Sequence, residues 1–148
     1  VLADRGTNAL VVRGSDGLDE VTIFADTEVW DATRGAAVHL DSIRLATTGI
    51  SQGQASELKG GTAELNARIA RDVFAGKTDG PLQAVRDAVA LNTAAALVAW
   101  DAANGRGSDE AITERVIAAM PRALEAINSG AVLRLLDRWA AVSSDAAR

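Results

Sequence analysis

Leu10-Val11-Val12-Arg13-Gly14-Ser15-Asp16-Gly17-Leu18-Asp19-Glu20 is the stretch on which the reading of this chain turns. A short apolar run, Leu10–Val12, leads straight into a glycine-rich acidic turn, Gly14–Glu20. This order predicts a buried strand whose C-terminal end opens into a polar loop. In open α/β sheets, ligands bind in the crevice just past the carboxyl ends of parallel strands. The adjacent carboxylates Asp19 and Glu20 fall at that position.

At 148 residues the chain is long enough for one domain with a substantial core. Apolar residues make up 48% but aromatics only 3%, so that core is built from alanine, valine and leucine, which suits closely packed helices and strands. A net charge of −5 argues against a nucleic-acid partner, because phosphate backbones need clustered Lys and Arg. An anionic substrate would need local basic groups or a bridging cation. The absence of cysteine removes disulfides, thiolate zinc sites and thiol nucleophiles, and fits a reducing, cytoplasmic location. No apolar run approaches the roughly 18 residues of a membrane span, so no membrane partner is expected.

The opening Val1–Gly6 reads as the last turn of a helix closed by Gly6, ahead of the Leu10–Val12 strand. That is the second half of a βαβ unit whose first strand is missing, and the chain is expected to be the C-terminal part of a longer protein. Beyond the acidic turn, Val21, Ile23 and Ala25 alternate as in a strand. Glu28–Ala32 and Ala36–Leu40 read as a hairpin turning at Arg34-Gly35, and 41–57 as a loop. The second half is helical. One helix is capped by Thr62 and carries Leu65, Ile69 and Val73 on one stripe. A long Ala-rich helix over Leu82–Trp100 presents Val85, Val89, Asn92 and Ala96. A third is capped by Ser108, and Pro121 should kink it or restart it at a first-turn position. Gly130 precedes a last helix with Val132, Leu135, Leu136 and Trp139 as its buried stripe, and the tail from Ser143 is expected to fray.

Gly14–Glu20 resembles the DGLDE signature of anthranilate phosphoribosyltransferases. Other stretches match that family in the same order: Leu58-Lys59-Gly60-Gly61 with Asn66-Ala67, then Gly76, Gly80, Asp87 and Asn92, then Ala126–Gly130 as its A-I-x-S-G. The likeness runs over nearly the whole chain and is weakest between Asp26 and Gln54. It implies an α/β fold, part of the nucleoside phosphorylase/phosphoribosyltransferase type, with a parallel-sheet portion, a β-hairpin and a helical C-terminal half. It implies transfer of a phosphoribosyl group from phosphoribosyl pyrophosphate to anthranilate in tryptophan biosynthesis, with Mg²⁺ as cofactor and Asp19 and Glu20 as metal ligands. It also implies a homodimer formed through a small helical domain.

Some of the family's pattern is not in this sequence. The family's glycine-rich phosphate loop, its Lys, His and Asn segment, an anthranilate-contacting Arg and the small domain all lie upstream of the matched region. Arg13 stands where many relatives carry His, and Pro81–Val85 is slightly longer than the usual G-P-x-R-D turn. The chain alone is therefore expected to be inactive. A pyrimidine-nucleoside phosphorylase and a non-catalytic ligand-binding relative remain alternatives, the first opposed by the DGLDE loop.

Taken alone, an acidic pair in a Gly-rich turn is more often solvated surface than a ligand set. Asp16-Gly17 is turn chemistry and Asp16 is kept out of the metal site. Lys59–Thr62 lacks Walker spacing and reads as helix entry rather than a phosphate cradle. Asp87 and Asn92 read as hydrogen-bonded packing residues. The single histidine, His39, reads as a surface or satisfied residue. Arg68, Arg71, Arg134 and Arg138 read as solvated helix faces, and Trp100 and Trp139 as core or interface anchors.

Overall fold

A computed structural model describes residues 1–146 apart from Ala36. A short 3-10 turn, Ala3–Arg5, ends at Gly6, whose left-handed φ of 66° closes it as expected. Three strands follow, β1 (Leu10–Gly14), β2 (Thr27–Asp31) and β3 (His39–Ile43), then helices α1 (Ala63–Phe74), α2 (Leu82–Ala103), α3 (Ile112–Asn128) and α4 (Ala131–Ala146). The class is α/β, but the expected parallel-sheet portion is not what these strands form. They make an antiparallel meander in the order β1-β2-β3, with Val12 opposite Val29 and Val29 opposite Asp41. β1 is thus an edge strand, and its apolar run is only half covered: Val11 is 47% exposed.

Element boundaries differ from expectation at several points. Residues 21–26 form no strand but an irregular segment in which Val21, Thr22 and Ile23 are buried, Phe24 and Ala25 half-buried and Asp26 exposed. Its alternation breaks because Thr22 is as buried as Val21 and Ile23, and it accepts and donates local bonds instead of ladder bonds. The hairpin exists with Gly35 at φ 92°, supplying the turn as expected, but its second strand starts at His39. The expected start at Ala36 lies outside the described residues. Asp41–Ile43 is strand, and the rest of the expected loop contains 3-10 turns at Leu45–Thr47 and Ala55–Leu58.

The core lies where the sheet and the 21–24 segment meet α2 and α3. It joins Val21, Ile23, Val29 and Ile43 to Leu91, Ala94 and Val98 of α2 and to Ile112, Val116 and Ala123 of α3. Each fully buried Ile or Leu there contributes ~1.5–3 kcal/mol. The alanines of α2 let α3 approach closely, and these two helices make the most extensive helix–helix packing. The buried face of α2 is Ala84, Leu91, Ala95 and Val98 rather than the expected one; Val85, Val89 and Asn92 are half-buried and Ala96 is exposed. The helix also continues past Trp100 to Ala103.

Helix α3 starts at Ile112, four residues after the expected cap Ser108, because its cap comes from the sheet. Asp41 Oδ2 accepts the Ile112 N–H at 2.9 Å, and the Thr113 hydroxyl donates to the Ser42 carbonyl at 2.8 Å. Pro121 neither ends nor restarts the helix. Having no N–H, it deprives the carbonyl of Ile117, a 37% exposed residue, of its usual helical donor.

A charged cluster locks the hairpin to α3. Asp31, fully buried, lies 3.1 Å from Arg34 Nε and 3.1 Å from Arg115 Nη2. Both distances are ion-pair distances, yet Asp31 Oδ2 accepts no hydrogen bond, so its contact with the guanidiniums is one of charge. The other oxygen accepts from the Thr33 N–H at 2.9 Å and hydroxyl at 2.6 Å. Burial lowers the Arg115 pKa, with the neighbouring Asp31 charge opposing the shift.

Helix α4 departs most from expectation. Val132 and Leu136 are half-buried, but Leu135 and Trp139 are exposed, so the stripe is not a core face. Trp100 is exposed as well, which excludes both tryptophans from the core. The helix does not fray at Ser143 but runs on to Ala146. Arg68, Arg71, Arg134 and Arg138 are solvent-facing as expected, with Arg71 paired to Asp137 between α1 and α4. Among the described residues no single helix is long and apolar enough to cross a membrane.

Candidate metal-binding loop

The loop leaving β1 is built by its own turn residues. The Gly17 N–H donates to the Gly14 carbonyl at 2.8 Å, and Gly17 itself sits at φ 96°, which favours glycine. The Gly14 N–H donates to the Leu18 carbonyl at 2.8 Å, folding the loop back on the strand end. Asp16 is the internal strut: its Oδ1 accepts the Leu18 N–H at 3.2 Å and its Oδ2 the Thr22 hydroxyl at 2.8 Å. Both oxygens of that carboxylate are thus engaged within the turn. Gly14 is needed because a Cβ there would stand 2.2 Å from Asp16 Oδ1.

Asp19 and Glu20 follow, both exposed. Among the described residues, neither side chain has a hydrogen-bond or ion-pair partner within the chain. On the far side, Val21 is held by a residue 71 positions away. The Val21 N–H donates to Asn92 Oδ1 at 3.0 Å, and Asn92 Nδ2 donates to the Val21 carbonyl at 2.8 Å. Asp26 continues the bracing: its carbonyl accepts the Ser15 N–H at 2.8 Å, and its Oδ1 accepts the Leu45 N–H at 2.9 Å.

Within the described residues, the donors this loop offers a metal are the two adjacent carboxylates Asp19 and Glu20. The described residues contain no group of three His, Cys, Asp or Glu side chains able to enclose an ion. Magnesium keeps several waters and binds through one or two carboxylates plus substrate phosphates, so the donors present fit Mg²⁺. His39 is exposed at the start of β3.

The other singled-out motifs are structural. Thr62 Oγ1 accepts the Leu65 N–H at 3.3 Å and caps α1. The Gly61 N–H donates to Asn66 Oδ1 at 2.9 Å, so the Gly-Gly and Asn-Ala pairs form one local device rather than an open phosphate cradle. A Cβ at Gly60 would meet Asn66 Oδ1 at 2.9 Å, so a side chain there would push the Asn66 amide aside. Asp87 accepts from Gln83 at 2.8 Å on the surface of α2.

Residues 1–133 match the model of the glycosyl transferase family, a/b domain. The chain belongs to that family. Within it, the chain is 46% identical over 145 residues to the anthranilate phosphoribosyltransferase of Nocardia farcinica, covering 97% of this chain and 41% of that protein. It is 45% identical over 148 residues to that of Saccharopolyspora erythraea, covering 100% of this chain and 39% of that protein. Among solved structures, the Thermus thermophilus anthranilate phosphoribosyltransferase superposes with a TM-score of 0.67 at 31% identity, over 95% of this chain and 37% of that one. The Saccharomyces cerevisiae enzyme, described in complex with PRPP and Mg, gives 0.67 at 26% identity, over 89% and 34%. This glycosyl transferase family chain thus spans about two fifths of the length of the relatives it matches.

What the residues alone did not signal is the bracing of the loop. Asn92 was readable as a hydrogen-bonded residue, but not as the partner of Val21, because nothing local joins positions 71 apart.

Proposed function

We propose that this chain supplies one wall of an active site that transfers a phosphoribosyl group from phosphoribosyl pyrophosphate to anthranilate, a step of tryptophan biosynthesis. The observation that carries the reading is the pair Asp19 and Glu20, exposed, free of partners in the described chain, and set between two fixed points of backbone. Relatives bearing the name anthranilate phosphoribosyltransferase over 97% of the chain, and a solved neighbour described with PRPP and Mg, support it.

Asp19 and Glu20 would hold Mg²⁺, and their exposure leaves room for water and phosphate oxygens. When bound, the ion supplies charge neutralisation for the departing pyrophosphate. It also answers the electrostatic problem of a chain with net charge −5 receiving an anionic substrate. Gly14, Asp16 and Asn92 hold the loop in place. In the reaction the anthranilate nitrogen bonds to the anomeric carbon as that carbon's bond to pyrophosphate breaks, and the amine proton passes to solvent. No protein nucleophile is required, consistent with a chain without cysteine.

On this reading, residues 1–148 are the C-terminal portion of a catalytic α/β domain. The phosphate loop and the small dimer-forming helical domain belong to an upstream region, the uncovered edge of β1 pairs in parallel with upstream strands, and the enzyme works in the cytoplasm. The complete protein should consume anthranilate, followed by loss of its fluorescence, only when phosphoribosyl pyrophosphate and Mg²⁺ are both present. The segment 1–148 by itself should not. Failure of the complete protein, or turnover by the segment alone, would sink the proposal.

A further inference from the structure

We infer that Asn92 is a positioning residue for the Asp19-Glu20 carboxylates, an inference that rests on the metal-binding reading above. The amide of Asn92 makes three of its four possible hydrogen bonds, and all three hold in one orientation only. Its Oδ1 accepts the Val21 N–H at 3.0 Å, while Nδ2 donates to the Val21 carbonyl at 2.8 Å and to the Ala88 carbonyl, one helical turn back, at 3.0 Å. Turning the amide over would set its oxygen against two carbonyls and its NH₂ against an N–H, so all three bonds would be lost together. The bond to Ala88 aims the side chain from the rigid body of α2, and the two bonds to Val21 fix both polar groups of one residue.

That residue directly follows Glu20. At the other end Leu18 is fixed in the same way, its N–H donating to Asp16 Oδ1 at 3.2 Å and its carbonyl accepting the Gly14 N–H at 2.8 Å. Asp19 and Glu20 are thus a two-residue span between clamped neighbours. Val21 and Ile23 are buried on the core beyond them. Hydrophobic contact alone fixes depth, whereas the two-point amide fixes the rotation of the Val21 peptide groups, and with it the direction in which the Glu20 side chain leaves the backbone. A ligand pair held this way binds an ion without first losing the entropy of a mobile loop.

The test uses the complete protein and the variants Asn92→Ala and Asn92→Asp. The aspartate keeps the shape and the acceptor for the Val21 N–H but loses both donors. Hydrogen exchange of the metal-free protein reads the clamp directly. The hydrogen-bonded amides of Val21 and Thr22 should exchange about tenfold faster in both variants, the ratio set by ~1.4 kcal/mol, while helix α3 keeps its protection. The Mg²⁺ concentration for half-maximal anthranilate consumption should rise by about tenfold with a smaller change in kcat. Unaltered exchange at Val21 and Thr22 in the folded Asp variant would overturn the inference. Faster exchange with an unmoved Mg²⁺ dependence would overturn it too, since the clamp would then serve folding only. A wild-type protein without Mg²⁺-dependent turnover would instead refute the transferase reading, and that failure shows before any variant is made.

Discussion

Substituting Gly14 by Ala should cost the acidic loop its internal strut. The backbone at Gly14 is not left-handed, so alanine is sterically opposed only by its neighbours. The added Cβ would lie 2.2 Å from Asp16 Oδ1, 3.0 Å from Thr22 Cγ2 and 3.3 Å from Leu18 Cβ. The first contact cannot be tolerated, and the Asp16 carboxylate must swing away. It then gives up the Thr22 hydroxyl at 2.8 Å and the Leu18 N–H at 3.2 Å. A charged hydrogen bond of the first kind is worth ~1.5–3 kcal/mol, and the longer, exposed one about 0.5 kcal/mol. Thr22 is 1% exposed, so its hydroxyl is left without water as a substitute. Together with a small shift at Thr22, Gly14→Ala should destabilise by about 2–4 kcal/mol in urea titration. A double-mutant cycle is the sharper test. Once Asp16→Ala has removed the nearest clashing atom, adding Gly14→Ala should cost clearly less than it does in the wild type, by more than about 1 kcal/mol, with only the contacts to Thr22 Cγ2 at 3.0 Å and Leu18 Cβ at 3.3 Å remaining. Additivity of the two substitutions within about 0.5 kcal/mol would refute the strut.

Two further outcomes follow from the ion pairs. Asp31→Ala leaves Arg115, whose side chain is 5% exposed, as an uncompensated buried charge, and should cost ~3–5 kcal/mol by denaturant titration; a loss under about 1 kcal/mol would show that the cluster is not closed to water. Asp101 is held below its usual pKa chiefly by the Arg122 hydrogen bond, partly opposed by burial and reinforced by Arg106. A folded pKa below the unfolded one means the Asp101 contribution is complete above the unfolded value of ~3.9 and is lost as pH falls through the folded value. Asp101→Asn should therefore flatten the acid limb of the stability curve below about pH 4 and leave its slope near neutrality unchanged. A changed slope only above about pH 6 would contradict that assignment.

How far the residues themselves disclosed this molecule depends on how local each device is. The turn after β1 was readable because Asp16, Gly17 and Gly14 act within a few positions of one another. Thr62 and Gly76 bounded α1 for the same reason. The errors came where a distant partner decides the outcome. Val21–Asp26 alternates like a strand, but Asn92 and Thr27 take its polar groups before any strand can pair with it. Ser108 looks like a helix cap, but Asp41 of the hairpin caps α3 four residues later. Periodicity identified an apolar stripe on α4 but cannot say what covers it; Trp139 is 69% exposed. The apolar run Leu10–Val12 suited a buried parallel strand, whereas in this chain it borders a meander on one side only. The acidic pair itself was visible as sequence. Its bracketing by Leu18 and Val21 was not, because half of that bracket arrives from α2.

The most direct measurement is a Mg²⁺ titration of anthranilate consumption by the complete protein, comparing wild type with Asp19→Asn and Glu20→Gln. These substitutions keep size and remove charge from side chains that are exposed and unpaired within the described chain, so thermal stability should stay within about 0.5 kcal/mol of wild type. Each should raise the half-saturating Mg²⁺ concentration by about tenfold or more, consistent with the loss of a charged ligand from an ion that takes only one or two. Unchanged Mg²⁺ dependence in both stable variants would contradict the assignment of the Gly14–Glu20 loop as the metal-holding wall.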